Sequence, residues 1–384
     1  MSWGRHLRSL DWLMVGATVA LIGVGLVFIY SATIGQPVNG DPQYYLKRQA
    51  MWAAISLGAM VAAILIDYRI LLKLGPLIYG ANLLLLTVVL VAGTSVYGAQ
   101  RWLDIGPVRV QPSEFAKVAM IIGFASFLAE RRDRAAEPAG TVRKLADLLP
   151  SLLYVGLPTI LVFRQPDLGT SLVFLAIFLG MLYVAGSDPK VLFGLTGGAV
   201  GLGALALFLH NNFGLRLPLK DYQVRRIMTF LQPGQDLRGT GYHTHQSQIA
   251  IGSGRVFGQG LVAGSQNQLN FLPMRHTDFI FSVIGEEVGF AGTVAVLLLF
   301  MIIIWRGIVI AARSQDLGGS LLVVGVLAML GFHVLVNVGM ATGIMPVTGL
   351  PLPFLSSGGS SLFTNCVAVG LMLNVGVRRY KIHF

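Results

Sequence analysis

Apolar positions along this chain gather into long blocks separated by short polar punctuation. The blocks run over residues 11–33, 48–66, 70–93, 113–129, 148–163, 168–186, 190–210, 279–305, 318–343 and 357–377. Most reach the roughly 17–25 residues that cross a hydrocarbon layer as helix. Those at 113–129 and 148–163 are shorter or more polar, so their limits are soft. The period-two alternation of a membrane barrel is absent, and helices are the other way to bond every backbone group inside lipid. The pattern predicts an all-α polytopic membrane protein of about ten transmembrane helices, with residues 1–384 as a single membrane domain.

Two stretches break the pattern. Residues 211–278 form one long loop between the seventh and eighth spans, rich in Gly and carrying seven Lys/Arg. Within it, 221–231 and 243–251 read as short interfacial helices, and a loop of this length normally has work of its own. The stretch 345–361, MPVTGLPLPFLSSGGSS, holds three prolines and three glycines and cannot be regular helix. At membrane depth such backbone has to be buried in protein or line a wet cavity.

Composition agrees. Of 384 residues, 54% are hydrophobic and 12% charged, against about 25% charged in a soluble domain. The first block is too long for the core of a cleavable signal and lacks a small-residue cleavage site. The single cysteine, Cys366, excludes an intrachain disulfide and reads as packing. The net charge of +11 is not a nucleic-acid footprint, because no basic patch is interleaved with aromatics. It follows the loops instead. Alternate connections, starting inside, hold Arg5, Arg8, Arg69, Lys73, Arg131, Arg132, Arg134, Arg143, Lys144, Lys190, Arg306, Arg313, Arg378, Arg379 and Lys381. The opposite short loops hold only Lys47, Arg48, Arg101, Arg109 and Arg164. The positive-inside rule then sets both termini on the cytoplasmic side and the 211–278 loop outside.

Charges in or beside spans are costly and call for a reason. Asp278, in HTDFIF at the outer mouth of the eighth span, is a carboxylate on an apolar rim. Unless paired, it has a raised pKa, which suits a general base; alternatively Asp278 or Thr277 caps the span. Glu114 and Lys117 stand three apart and share a helix face. They form either an ion pair that lets the span insert or a cationic contact for an anionic substrate in a wet cavity. Arg48, Arg101 with Trp102, Arg109 and Arg164 are outer donors suited to phosphate, or ordinary snorkelling side chains. Glu286 lies two helical turns past Asp278 on one face, with Glu287 pointing elsewhere. One of the two orients substrate or binds a cation, or is a hydrogen-bonded buried carboxyl. His243, His245 and His276 make a poor zinc set, lacking an acidic partner. IGSGRVFGQG lacks the Gly-Lys-Ser/Thr ending of a phosphate loop and reads as tight outside turns, with Gly allowing backbone approach to a ligand.

Several long segments together resemble the SEDS family, the peptidoglycan polymerases typified by RodA and FtsW. They are GAQRWLDIGPVRVQPSEFAK, RQPDLGTS, GYHTHQSQIAIGSG, NFLPMRHTDFIFSVIGEEVG and VNVGMATGIMPVTGLPLPFLSSGGSSL, in family order and spread over most of the chain. The short N-terminus and SQNQLNFLP look more like RodA. The resemblance implies a bacterial cytoplasmic-membrane enzyme that polymerises lipid II on the outer face, in elongation and cell-shape maintenance. It implies a class B penicillin-binding protein as partner beside membrane lipids, and dependence on a divalent cation, magnesium or manganese, for which no ligand set is visible. It places the essential acid on Asp278 and cavity residues on Glu114 and Lys117, with Arg48, Arg101 and Trp102 at positions that matter. Since Asp278 is the one strong carboxylate candidate at the rim, direct displacement with inversion is expected. The competing readings are a flippase for the lipid-linked sugar, which needs a polar path to both faces, and a non-catalytic scaffold for a synthase. A scaffold leaves the costly Asp278 unexplained.

Overall fold

The computed structural model describes residues 9–133, 148–215, 221–231 and 239–378, apart from 36, 39, 97, 98, 107 and 270. Its elements in chain order begin with α1 (Trp12–Thr33), α2 (Tyr44–Leu65), α3 (Tyr68–Lys73) and α4 (Gly75–Ala92). A small sheet follows, β1 (Thr94–Val96), β2 (Ala99–Ile105) and β3 (Val108–Val110), then α5 (Pro112–Asp133), α6 (Leu149–Arg164), α7 (Leu168–Val184) and α8 (Pro189–Phe213). Next come α9 (Asp221–Leu231), α10 (Thr240–Ser253) and α11 (Ser265–Gln268), and finally α12 (Ile280–Ala312), α13 (Leu317–Ala341) and α14 (Gly359–Val377).

Among the described residues, eight helices are long and apolar enough to cross a membrane: α1, α2, α4, α5, α8, α12, α13 and α14. Two shorter apolar helices, α6 and α7, have 16 and 17 residues, so α6 is roughly 24 Å long. These ten coincide with the ten apolar blocks, and the soft block at 113–129 is a full 22-residue helix. Helices also occupy 221–231 and 240–253, where short interfacial segments were expected.

One buried apolar cluster runs from Met14 on α1 to Val375 on α14. Stacked aromatics fasten one flank of it, where the rings of Tyr79 on α4 and Tyr154 on α6 lie 4.0 Å apart, with Phe124 of α5 between Tyr154 and Phe178. In contrast, α8 has only Leu192 buried.

Ion pairs sew one end of the bundle. Arg306 of α12 meets Asp11 at 2.6 Å, Arg378 meets Asp67 at 3.4 Å, and Arg69 meets Asp316 at 3.6 Å. Tyr68 also donates to Asp316 at 2.5 Å, which together with burial holds its phenol up at about 12. The start of α1, the end of α12, the start of α13 and the end of α14 therefore share this basic end. Arg5, Arg8, Arg134, Arg143, Lys144, Arg379 and Lys381 lie outside the described residues.

Three features were not anticipated. The first is the antiparallel sheet β1-β2-β3, in which Thr94 faces Trp102 and Asp104 faces Arg109. The second is a break in α12 at Gly289, whose φ of 67° and ψ of −162° lie outside the helical region. There the glycine-rich stretch 254–260 crosses the helix: Phe290 and Ala291 N–H donate to the carbonyls of Arg255 and Val256, while Gln259 and Gly260 N–H donate to those of Glu286 and Glu287. The close backbone approach in this stretch is thus made to α12 of the chain itself, where a ligand was expected. The third is how the irregular 342–358 segment is buried. Leu350, Leu352, Phe354 and Leu355 are all at most 2% exposed, its polar backbone is bonded to Gln49, Asn337 and His276, and the Ser356 side chain bonds the carbonyl of Thr277.

Gly258 has φ +81°, and a Cβ there would overlap the Glu287 carbonyl. Gly258→Ala is expected to destabilise the protein by about 1–3 kcal/mol through overpacking, read as a lower thermal unfolding temperature in detergent.

Candidate active site

The end of the bundle opposite the ion-paired one collects the polar groups. Asp278 sits in the turn before α12. Its backbone is held on two sides, since Asn337 Nδ2 of α13 donates to its carbonyl at 2.9 Å and Ser356 Oγ donates to the carbonyl of Thr277 at 2.6 Å. Ser357 N–H donates to the carbonyl of His276 at 2.8 Å. The N-cap of α12 is Phe279, with no side-chain cap, so neither Asp278 nor Thr277 is spent on capping.

The Asp278 side chain is half-buried. Loss of solvent pushes its carboxyl above the ordinary carboxylate range, while Arg226 foremost, a hydrogen bond from Thr277 and Arg101 favour the charged form. A Cβ placed on Gly349 would stand 3.4 Å from Asp278 Oδ2 and 3.7 Å from Arg226 Nη1. Acid and guanidinium therefore face a shared gap that exists because residue 349 has no side chain. The φ of +77° at Gly349 reinforces that requirement.

Arg226 comes from the amphipathic helix α9 and also borders a cavity of about 150 Å³ between α9, α10 and residues 343–347. Thr244, His245 and Gln248 supply polar walls; Phe230, Met345 and Pro346 supply apolar ones. That volume corresponds to about five waters, enough for a phosphate group.

Arg101 on β2 reaches across to the turn before α7. It donates to the carbonyls of Gln165 (3.0 Å) and Pro166 and stands 3.9 Å from Asp167 Oδ1. Asp167 caps α7 through Thr170 N–H and accepts from Ser113 Oγ and Gln111 Nε2, both at 3.3 Å. The sheet, α5 and α7 are thus joined at one buried carboxylate. Trp102, beside Arg101, is half-buried, and its carbonyl accepts from Thr94 Oγ1.

Glu114 and Lys117 are a fully buried pair at 2.9 Å. The third neighbour of Lys117 Nζ is His333 Nε2 at 3.2 Å. The pair is closed on itself and on His333. Glu286 does not turn to Asp278. Its carboxylate accepts from the N–H groups of Gln266 (2.7 Å) and Asn267 (3.2 Å), and Glu287 accepts from Ser31 and from Asn267 Nδ2 (3.0 Å). The pair of glutamates anchors α11 and α1 to α12. Arg48 and Arg164 are exposed and form no ion pair among the described residues; Arg109 pairs with Asp104 at 2.8 Å.

No group of three His, Cys, Asp or Glu that could ligate a metal occurs among the described residues. His243 packs near Phe279, and His276 near Tyr45. With Arg226 and Arg101 beside Asp278, this acid is provided with organic cations, and the surroundings do not fit a protein-ligated divalent metal.

Asp167, Arg226, His333, Asn337 and Gly349 were not singled out from sequence. His333 and Asn337 did leave a signal, as polar residues four apart on an otherwise apolar span.

A family model described as cell cycle protein, covering FtsW, RodA and SpoVE, matches residues 11–381. Stage V sporulation protein E of Bacillus subtilis is 37% identical over 375 residues, covering 96% of this chain and 97% of that protein. Peptidoglycan glycosyltransferase MrdB of Escherichia coli is 38% identical over 369 residues, 96% of this chain and 95% of MrdB. A chain from a solved peptidoglycan synthase complex that coordinates polymerization and crosslinking superposes with a TM-score of 0.76 at 32% identity, covering 97% of this chain and 99% of that one.

Lys117→Ala would leave Glu114 as an uncompensated buried charge. The expected loss is about 3–5 kcal/mol in detergent thermal unfolding, and the double variant Glu114→Gln/Lys117→Met is expected to recover most of it.

Proposed function

The chain belongs to the cell cycle protein family of FtsW, RodA and SpoVE, and on that footing we propose that Asp278 is the general base of its glycosyl transfer. The protein is a multi-pass membrane peptidoglycan glycosyltransferase. What carries the assignment of the base is one arrangement: a carboxylate not used as a cap, half-buried, sharing the Gly349 gap with Arg226.

The substrate that suits this reaction is lipid II, a disaccharide on a lipid diphosphate. The hydroxyl oxygen of the acceptor sugar forms a bond to the anomeric carbon of the donor. The bond from that carbon to the diphosphate oxygen breaks, and its electron pair leaves with the diphosphate. The hydroxyl proton passes to the Asp278 carboxylate. Arg226 lies where it can stabilise the departing negative charge, and the neighbouring cavity has room for a phosphate. A single acid at this position favours direct displacement with inversion. Glu114 and Lys117 act from beneath, as a buried support for this end of the bundle.

The basic, ion-paired end is placed at the cytoplasm, which sets both termini inside and the Asp278 end outside. A flippase would need a polar route through the bundle, whereas the described ion pairs Arg306–Asp11, Arg378–Asp67 and Arg69–Asp316 bind the helices together at the basic end. A class B penicillin-binding protein is the proposed crosslinking partner, supported by the likeness to a synthase complex. The likeness to MrdB supports a role in elongation and cell shape.

Purified protein in liposomes, given labelled lipid II and its partner, is expected to make glycan polymer. Asp278→Asn should lower the rate by about 10²–10⁴-fold with the fold intact, and a normal polymer yield from that variant would remove Asp278 from the role of base. Because Arg226 favours the charged carboxylate, Arg226→Gln should move the acidic limb of the rate–pH profile to higher pH.

A further inference from the structure

Below the Gly349 gap lies a group that the transfer reaction does not touch. Lys117 Nζ and the whole His333 side chain are fully buried. An ammonium has three N–H donors and no acceptor. The Glu114 carboxylate takes part of this donation, its two oxygens lying 2.9 Å from Nζ, and His333 Nε2, 3.2 Å away, is the remaining acceptor. For Nε2 to accept, the ring is neutral and its proton sits on Nδ1. Nδ1 has no partner at hydrogen-bond distance among the described residues, and the backbone of Pro351 stands against the ring.

One helical turn further along α13, Asn337 donates from the same amide nitrogen to the carbonyls of Asp278 (2.9 Å) and Leu350 (2.8 Å). Asn337 therefore grips both the irregular segment and the backbone of the proposed base, and His333, one turn away, packs against the adjoining Pro351. Gly349, which shapes the gap beside Asp278, immediately precedes Leu350.

We propose that His333 is a positioning residue for glycosyl transfer: its neutral ring joins the buried Glu114–Lys117 pair to the 349–351 segment and so fixes the spacing between Asp278 and Arg226. The proposal rests on the reading of Asp278 as the base. It assigns His333 no contact with substrate. Loss of the link displaces the reacting geometry without removing any reacting group, so it lowers kcat and leaves KM nearly unchanged. A misplacement on the order of 1 Å at such a site costs up to about a hundredfold in rate.

The test uses the full-length protein with its partner in liposomes and two readouts. The first is the steady-state kinetics of lipid II polymerisation. The second is amide hydrogen exchange over residues 350–357, which does not depend on activity. His333→Phe keeps a planar ring and removes both nitrogens. It should lower kcat by roughly ten- to a hundredfold, hold KM, and speed exchange in the segment. His333→Gln, which can accept from Lys117 and donate to a carbonyl, should restore both readouts. If the Phe variant fails to fold, His333→Asn, too short to reach both partners, should show the same two losses. Unchanged exchange and kcat in the Phe or Asn variant, or a Gln variant as impaired as Phe, would overturn the proposal. Asp278→Asn, run alongside, separates the two ideas: full polymerisation there sinks the base, while the exchange data still decide the role of His333.

Discussion

No backbone N–H or carbonyl at membrane depth can be left without a partner, and residues 342–358 are where this chain meets that demand without helical geometry. The three prolines of 345–361 exclude a regular ladder. Their neighbours are bonded by two side chains from elsewhere, Gln49 of α2 and Asn337 of α13, and by Ser356 from within the segment. Asn337 and Ser356 also bond the carbonyls of Asp278 and Thr277, and Ser357 N–H bonds that of His276. The position of Asp278 is thus a by-product of satisfying an irregular backbone, and the site is built wherever that backbone is pinned.

The charged groups divide by energetic role. At the basic end, ion pairs link helix ends that are exposed in part, where each pair contributes little by itself. At the other end, Asp167, Glu114, Lys117, Glu286 and Glu287 are buried, and each has hydrogen-bonding partners that offset its desolvation. Asp278 differs, because its carboxylate has cations nearby and no cap to serve. A buried charge that is fully satisfied organises structure; one that is left available can take a proton.

The helical framework was legible because apolar blocks of membrane length have few alternative uses. The irregular 345–361 stretch was legible for the same kind of reason, as proline is decisive in a helix. The sheet over 94–110 was not, since its three short strands gain their meaning from pairing with one another and from Arg101 reaching the 165–167 turn. Helical periodicity leaves Glu286 either a companion of Asp278 on one face or a buried hydrogen-bonded carboxyl. Its geometry is the second, because Asp278 precedes the first helical residue and the backbone amides of 266 and 267 bond the Glu286 carboxylate. Arg226 was visible only as one of seven basic residues in a long loop, since its partner lies 52 positions away in sequence.

The crossing at Gly289 bears on how α12 is bonded in the bilayer. A continuous helix would bond Phe290 and Ala291 N–H to the carbonyls of Glu286 and Glu287. In the folded protein those four groups are all taken by the 255–260 segment. Helix continuity and docking of this segment therefore compete for the same atoms, and either arrangement leaves these four groups bonded. The break at Gly289 therefore costs the span none of these four bonds, because each lost helical partner is replaced by one from 255–260. Since 255–260 precedes α12 in the chain, the replacement partner has already been synthesised when the helix follows.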